Sequence, residues 1–148
     1  MLQPWDAVSE AFSAMGLMSS EVTWTTAGPS TLTLVVVDDD DQIRRAVGRF
    51  LRSHGHRVHV FDSAEAYLER DCEADCAILD IDLPGLSGLQ LAERLRQEGR
   101  RLPVVFITAH DELAILAAVQ ETHRPFLRKP LDEGDLLDAI ARATRDQS

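Results

Sequence analysis

Cysteine, long apolar runs and positive charge are all scarce in this chain. Only two of its 148 residues are Cys. Cys72 and Cys76 stand four positions apart with no second pair, a poor zinc signature. They read as one small half-buried residue before a strand and one inside it, in a reducing compartment. No apolar run approaches the length of a membrane span. No Lys or Arg precedes Arg44, so the start lacks the basic region of a signal peptide. Lys and Arg number 15 against 25 Asp and Glu, a net charge of −10. So acidic a chain repels phosphate backbones, which argues against direct nucleic-acid binding. These absences together predict a cytoplasmic protein.

What remains is an ordinary globular balance, 45% hydrophobic and 27% charged, enough for one domain with one core. Residues 1–31 read as an N-terminal extension. Within it, Trp5, Val8, Phe12 and Met15 share a face of a short helix over 4–17. The Ser, Thr and Gly-rich stretch 19–31 reads as a linker. Residues 32–148 read as the domain. Strands are expected at about 33–37, 57–61, 76–80, 103–107 and 125–128. Helices are expected at about 41–53, 64–70, 88–98, 111–121 and 132–145, with Ser63 as the N-cap of the second. Five strand–helix units with right-handed crossovers predict an α/β fold. It is a doubly wound, flavodoxin-like five-stranded parallel sheet, (βα)5, with helices on both faces. Pro125 cannot donate to a ladder, so the fifth strand is expected at an edge or to start there.

Four polar motifs close apolar runs. Asp38 to Asp41 follow Leu34 to Val37, Asp80 ends Ala77-Ile78-Leu79, Thr108 ends Val104 to Ile107, and Lys129-Pro130 follows Phe126-Leu127-Arg128. Ligands of such sheets bind at the carboxyl ends of the strands, so these motifs converge. Adjacent carboxylates at Asp38 and Asp39 are costly without a cation. A hard ion such as Mg²⁺ suits them. Capping of the first helix explains Asp40 and Asp41 well, and explains the two acids at the strand's end less well. Asp80, rigid at a strand end, is a candidate nucleophile that can carry an acyl phosphate. Pro84, Gly85 and Gly88 shape the turn beside it. Thr108 could donate to a phosphoryl oxygen, or simply suit a strand. Lys129 is either solvated surface or the phosphoryl counter-charge, and a cis bond to Pro130 would favour the second.

Val-Val-Asp-Asp-Asp at 36–40, Asp-Ile-Asp-Leu-Pro-Gly-Leu-Ser-Gly at 80–88, Ile-Thr-Ala-His at 107–110 and Arg-Lys-Pro-Leu at 128–131 together resemble the receiver domain of bacterial two-component response regulators. The likeness covers roughly residues 32–145 and is nearest the nitrogen-fixation and nitrate-response regulator type. It implies Asp38 and Asp39 as the Mg²⁺-binding pair, Asp80 as phospho-acceptor and the Ile81 backbone carbonyl as a further metal ligand. It implies Thr108 as the switch hydroxyl, Lys129 as the phosphoryl-binding cation and Phe126 as the switch aromatic. A histidine kinase or phosphotransfer protein would donate the phosphoryl group. The expected role is a switch and not an enzyme. Three departures stand out. The connection Glu121-Thr122-His123-Arg124-Pro125 before the fifth strand reads a residue short. Asp82 and His110 stand at positions that, in the family this chain resembles, tune acyl-phosphate lifetime. No effector domain is expected past Ser148, so output would pass through a downstream protein or self-association. That surface would be the fourth helix, fifth strand and fifth helix. The fourth helix carries Leu113 to Val119 almost without a polar residue, more than one buried face needs.

Two other functions fit parts of the pattern. Asp80-Ile81-Asp82 resembles the acidic motif of haloacid-dehalogenase-type phosphatases, but theirs lies on the first strand with the acidic pair after the Lys. A receiver-like binding module that takes no phosphate is the third reading. His54, His56 and His59 bracket the first helix–strand turn and read as surface residues.

Overall fold

The computed structural model describes residues 31–145. The expected helix at 4–17, and all of the linker but Thr31, lie outside the described residues. Strands β1 (Thr33–Val37), β2 (Arg57–Phe61), β3 (Cys76–Asp80), β4 (Val104–Thr108) and β5 (Phe126–Arg128) alternate with five helices. These are α1 (Asp41–Ser53), α2 (Ala64–Arg70), α3 (Gly88–Gln97), α4 (Leu113–Glu121) and α5 (Glu133–Arg145). All neighbouring strands are parallel, in the order β2-β1-β3-β4-β5. The fold is the expected doubly wound, flavodoxin-like α/β sheet, with β5 at an edge.

Alternation along the strands divides the core into two layers. Val35, Val37, Ala77, Leu79, Val104 and Phe106 pack with α2, α3 and α4. Leu34, Val36, Ile78, Val105 and Ile107 pack with α1 and α5. Both faces of the central strands are therefore dry, which is why β1, β3 and β4 read as unbroken apolar runs. Cys76 is buried inside β3 and Cys72 is half-buried; burial pushes the Cys76 thiol up to about 12.

Local chemistry explains the element ends. The Asp40 carboxylate accepts Gln42 N–H at 2.8 Å and Ile43 N–H at 3.4 Å, so it is the N-cap of α1. Ser63 Oγ caps α2 through Ala66 N–H at 3.0 Å. β4 and β5 begin one residue later than the sequence pattern suggests. Pro103 and Pro125 have no N–H to donate. Their carbonyls still accept, from Ala77 N–H at 2.9 Å and Phe106 N–H at 3.0 Å. α4 starts at Leu113, two residues past the expected position, behind a Glu112 cap without a side-chain bond. Of its apolar residues only Val119 is buried, and Leu113 is 84% exposed.

Candidate functional site

The strand order reverses at β1, so β1 and β3 lie side by side at the centre and their carboxyl ends share one crevice. Asp38 leaves β1 and Asp80 ends β3. They are 0% and 1% exposed. Two carboxylates so deeply buried need compensation. Asp38 Oδ1 accepts Asp40 N–H at 2.9 Å, and Asp80 Oδ1 accepts Asp82 N–H at 3.0 Å. The outer oxygens face Lys129, whose Nζ lies 3.0 Å from Asp38 Oδ2 and 3.3 Å from Asp80 Oδ2. The Asp80 contact is a hydrogen bond. The Asp38 contact is a close ion pair without hydrogen-bond alignment, so Asp38 Oδ2 is buried with no hydrogen-bond partner among the described residues.

The electrostatics follow from this crowding. Burial pushes the Asp80 carboxyl up to about 6. Asp38 pushes the same way, while Asp82 N–H and Lys129 oppose. Burial disfavours the Lys129 ammonium, yet its close contacts with the Asp38 and Asp80 carboxylates carry its pKa above the ordinary value. The Lys129–Pro130 bond is cis, and Lys129 N–H donates to the Thr108 carbonyl at 2.8 Å.

Asp39 is exposed beside the buried pair. Asp38, Asp39 and Asp80 each offer a carboxylate oxygen, all within 4.8 Å of one another. They are the one such grouping among the described residues. Three hard oxygen donors, one of them without a hydrogen-bond partner, suit a small hard cation. The Ile81 carbonyl accepts Gly88 N–H at 3.3 Å, so one lone pair of this expected ligand is already engaged. The cation fit therefore rests on the carboxylates.

Thr108 is buried at the end of β4, next to β3. Its Oγ1 accepts His110 N–H at 3.0 Å. Phe126 is half-buried against the α2–α4 side of the core and pairs in register with Phe106. The connection before β5 is tight. Arg124 N–H donates to Thr122 Oγ1 at 3.2 Å, and His123 takes φ 58°. Asp82 and His110 meet across the crevice, Nε2 to Oδ1 at 2.9 Å. Asp82 Oδ2 also accepts Ala109 N–H at 3.4 Å. His54 and His59 are exposed and His56 half-buried; His54 and His56 lie in the α1–β2 turn and His59 on β2.

Sequence reading missed Arg44. Its Nη1 donates to the Asp38 carbonyl at 2.7 Å and its Nη2 pairs with Asp41 at 3.1 Å. Helical spacing exposes the Asp41 pair, but only the turn of the chain out of β1 reveals the Asp38 contact.

A parallel five-stranded sheet with a buried acid–acid–lysine crevice at its switch point defines a signalling receiver. The chain belongs to the response regulator receiver domain family, whose sequence profile matches residues 34–141. It is 37% identical over 114 residues to the transcriptional regulatory protein TdiR of Thauera aromatica, covering 75% of this chain and 50% of TdiR. It is 32% identical over 115 residues to the transcriptional regulatory protein FixJ of Azorhizobium caulinodans, covering 76% and 54%. The solved response regulator StyR is similar at 39% identity with a TM-score of 0.69, over 78% of this chain and 60% of StyR. The chain spans about half the length of the curated relatives it matches. Among the described residues no helix is long and apolar enough to cross a membrane.

Proposed function

We propose that Asp80 is the phospho-acceptor of this receiver and that Asp38, Asp39 and Asp80 hold Mg²⁺. An Asp80 carboxylate oxygen attacks the phosphorus of a phosphohistidine on a histidine kinase or phosphotransfer protein. The O–P bond forms as the P–N bond breaks, and the bonding pair leaves on the imidazole. The bound cation supplies charge neutralisation for the phosphoryl oxygens. Lys129 contributes its ammonium to the same task, and the Thr108 hydroxyl turns to donate to the new group. Phe126 would follow that turn. The observation that carries this reading is the Asp38–Lys129–Asp80 cluster, buried, close-packed and aimed at one crevice.

The added charge shifts the α4–β5–α5 face, which engages a downstream partner or a second copy. The receiver acts in the cytoplasm, catalyses no turnover of an external substrate and makes no nucleic-acid contact of its own. We read residues 1–31 as an N-terminal extension to the receiver at 32–148. The phosphatase alternative is not favoured, because the acidic pair precedes Asp80 in the chain and the family profile is that of a receiver. The test is intact mass after acetyl phosphate and Mg²⁺. One phosphoryl group is expected on the native chain and none on Asp80→Asn or after chelation. No label on the native chain would favour the binding module that takes no phosphate.

A further inference from the structure

Glu65 stands in the first turn of α2, outside the acid–lysine cluster. Its Oε2 accepts Leu86 N–H at 2.9 Å, 21 positions away, in the loop joining Asp80 to α3. This bond leads the causes that hold the Glu65 carboxyl below its ordinary pKa. Gly85, at φ +75°, gives the carboxylate its seat. A Cβ there would stand 2.8 Å from Oε2, and its backbone conformation would be strained as well.

The other end of the same loop is fastened to the acceptor. Asp82 N–H holds the Asp80 carboxylate. Gly88 N–H holds the Ile81 carbonyl, and a Cβ on Gly88 would collide with the Asp80 carbonyl oxygen. Ser87 and Gln90 then start α3 with a reciprocal cap. Leu83 is buried and Leu86 packs on the core, so apolar contacts place the loop. They do not orient its backbone. Among the described residues, the Glu65 bond is the one hydrogen bond to positions 83–86.

We propose that Glu65 is a positioning residue of the phosphorylation site. By gripping the 84–86 turn from α2, it fixes the backbone from Asp80 to Gly88 and so the aim of the acceptor carboxylate. Glu65 takes no part in bond making. The proposal rests on the reading of Asp80 as acceptor. Orientation of a reacting group is worth large rate factors, and a small misplacement forfeits part of them.

The experiment follows label uptake from acetyl phosphate and Mg²⁺ by intact mass in the full chain, beside thermal melts. Glu65→Ala should slow uptake about tenfold while its melting temperature stays within a few degrees of native, as expected for an exposed side chain. Glu65→Gln keeps an oxygen able to accept Leu86 N–H and should retain most of the native rate. Equal rates for Glu65→Ala and a native chain that labels on Asp80 would overturn the positioning role. So would loss of rate in both variants alike, or a loss no larger than the fraction unfolded. A native chain that takes no label would instead overturn the acceptor reading, which keeps the two failures apart.

Discussion

Lys129 Nζ lies 3.3 Å from Asp80 Oδ2, joining the end of β5 to the end of β3 across 49 positions of sequence. The same nitrogen lies 3.0 Å from Asp38, so one cation serves two buried carboxylates. The side chain keeps 17% of its surface in solvent.

Replacing that cation should therefore cost more than a surface Lys would. Removing one partner of a buried pair costs about 3–5 kcal/mol, and we expect about 2 kcal/mol for Lys129→Met, because Lys129 is partly solvated and Asp80 can take a proton. Urea unfolding at neutral pH measures it. A loss no greater than that of an exposed Lys would mean that the ion pairs do not form in solution.

Stability should depend on pH through Asp80. Its folded pKa is raised from 3.8 to about 6. Above about 6 it is ionised in both states and the folded state bears the full cost of burying the charge. As pH falls through 6 toward 4, the folded state binds the proton first, so stability rises across that window. The gain is on the order of 2–3 kcal/mol. Metal-free melts at pH 7 and pH 5 should show the native chain gaining relative to Asp80→Asn. Parallel shifts in the two proteins would refute this.

Mg²⁺ should stabilise the fold at neutral pH. At a hundred times its Kd, a ligand of the folded state adds about 2.7 kcal/mol. Asp39 is exposed, so Asp39→Asn should leave the metal-free melt nearly unchanged while weakening the response to Mg²⁺. An undiminished response in Asp38→Asn/Asp39→Asn would leave the three carboxylates without a metal role.

α4 separates packing from contact. Val119 is buried, and Val119→Ala should cost about 2 kcal/mol. Leu113 projects into solvent, and Leu113→Ser should change stability by no more than about 0.5 kcal/mol. If the face is an output surface, Leu113→Ser should still alter phosphorylation-dependent self-association in light scattering or binding of a cognate partner. No change in either would remove α4 from the output surface.

The sequence by itself determined the architecture, because a doubly covered parallel sheet demands uninterrupted β-branched runs and its helices demand their own periodicity. It also marked Asp38, Asp80, Thr108 and Lys129, since parallel strands all end at one edge. Helix-capping chemistry also set Asp40 apart from Asp38 in the same acidic run, and its carboxylate does sit on the first N–H groups of α1. The apolar run of α4 implied a surplus beyond one buried face, but not which residue is buried, and only Val119 is. Burial depends on how the helix lies against β4 and β5, which periodicity does not encode. Tertiary structure alone decided which carboxylate oxygen lacks a hydrogen-bond partner, that Asp82 faces His110, and that Arg44 and Glu65 brace the backbone around the acids. Those contacts join residues 6 to 28 positions apart through turns whose direction is set by packing. Local chemistry names such residues as polar and helical, and only the folded chain brings them to their partners.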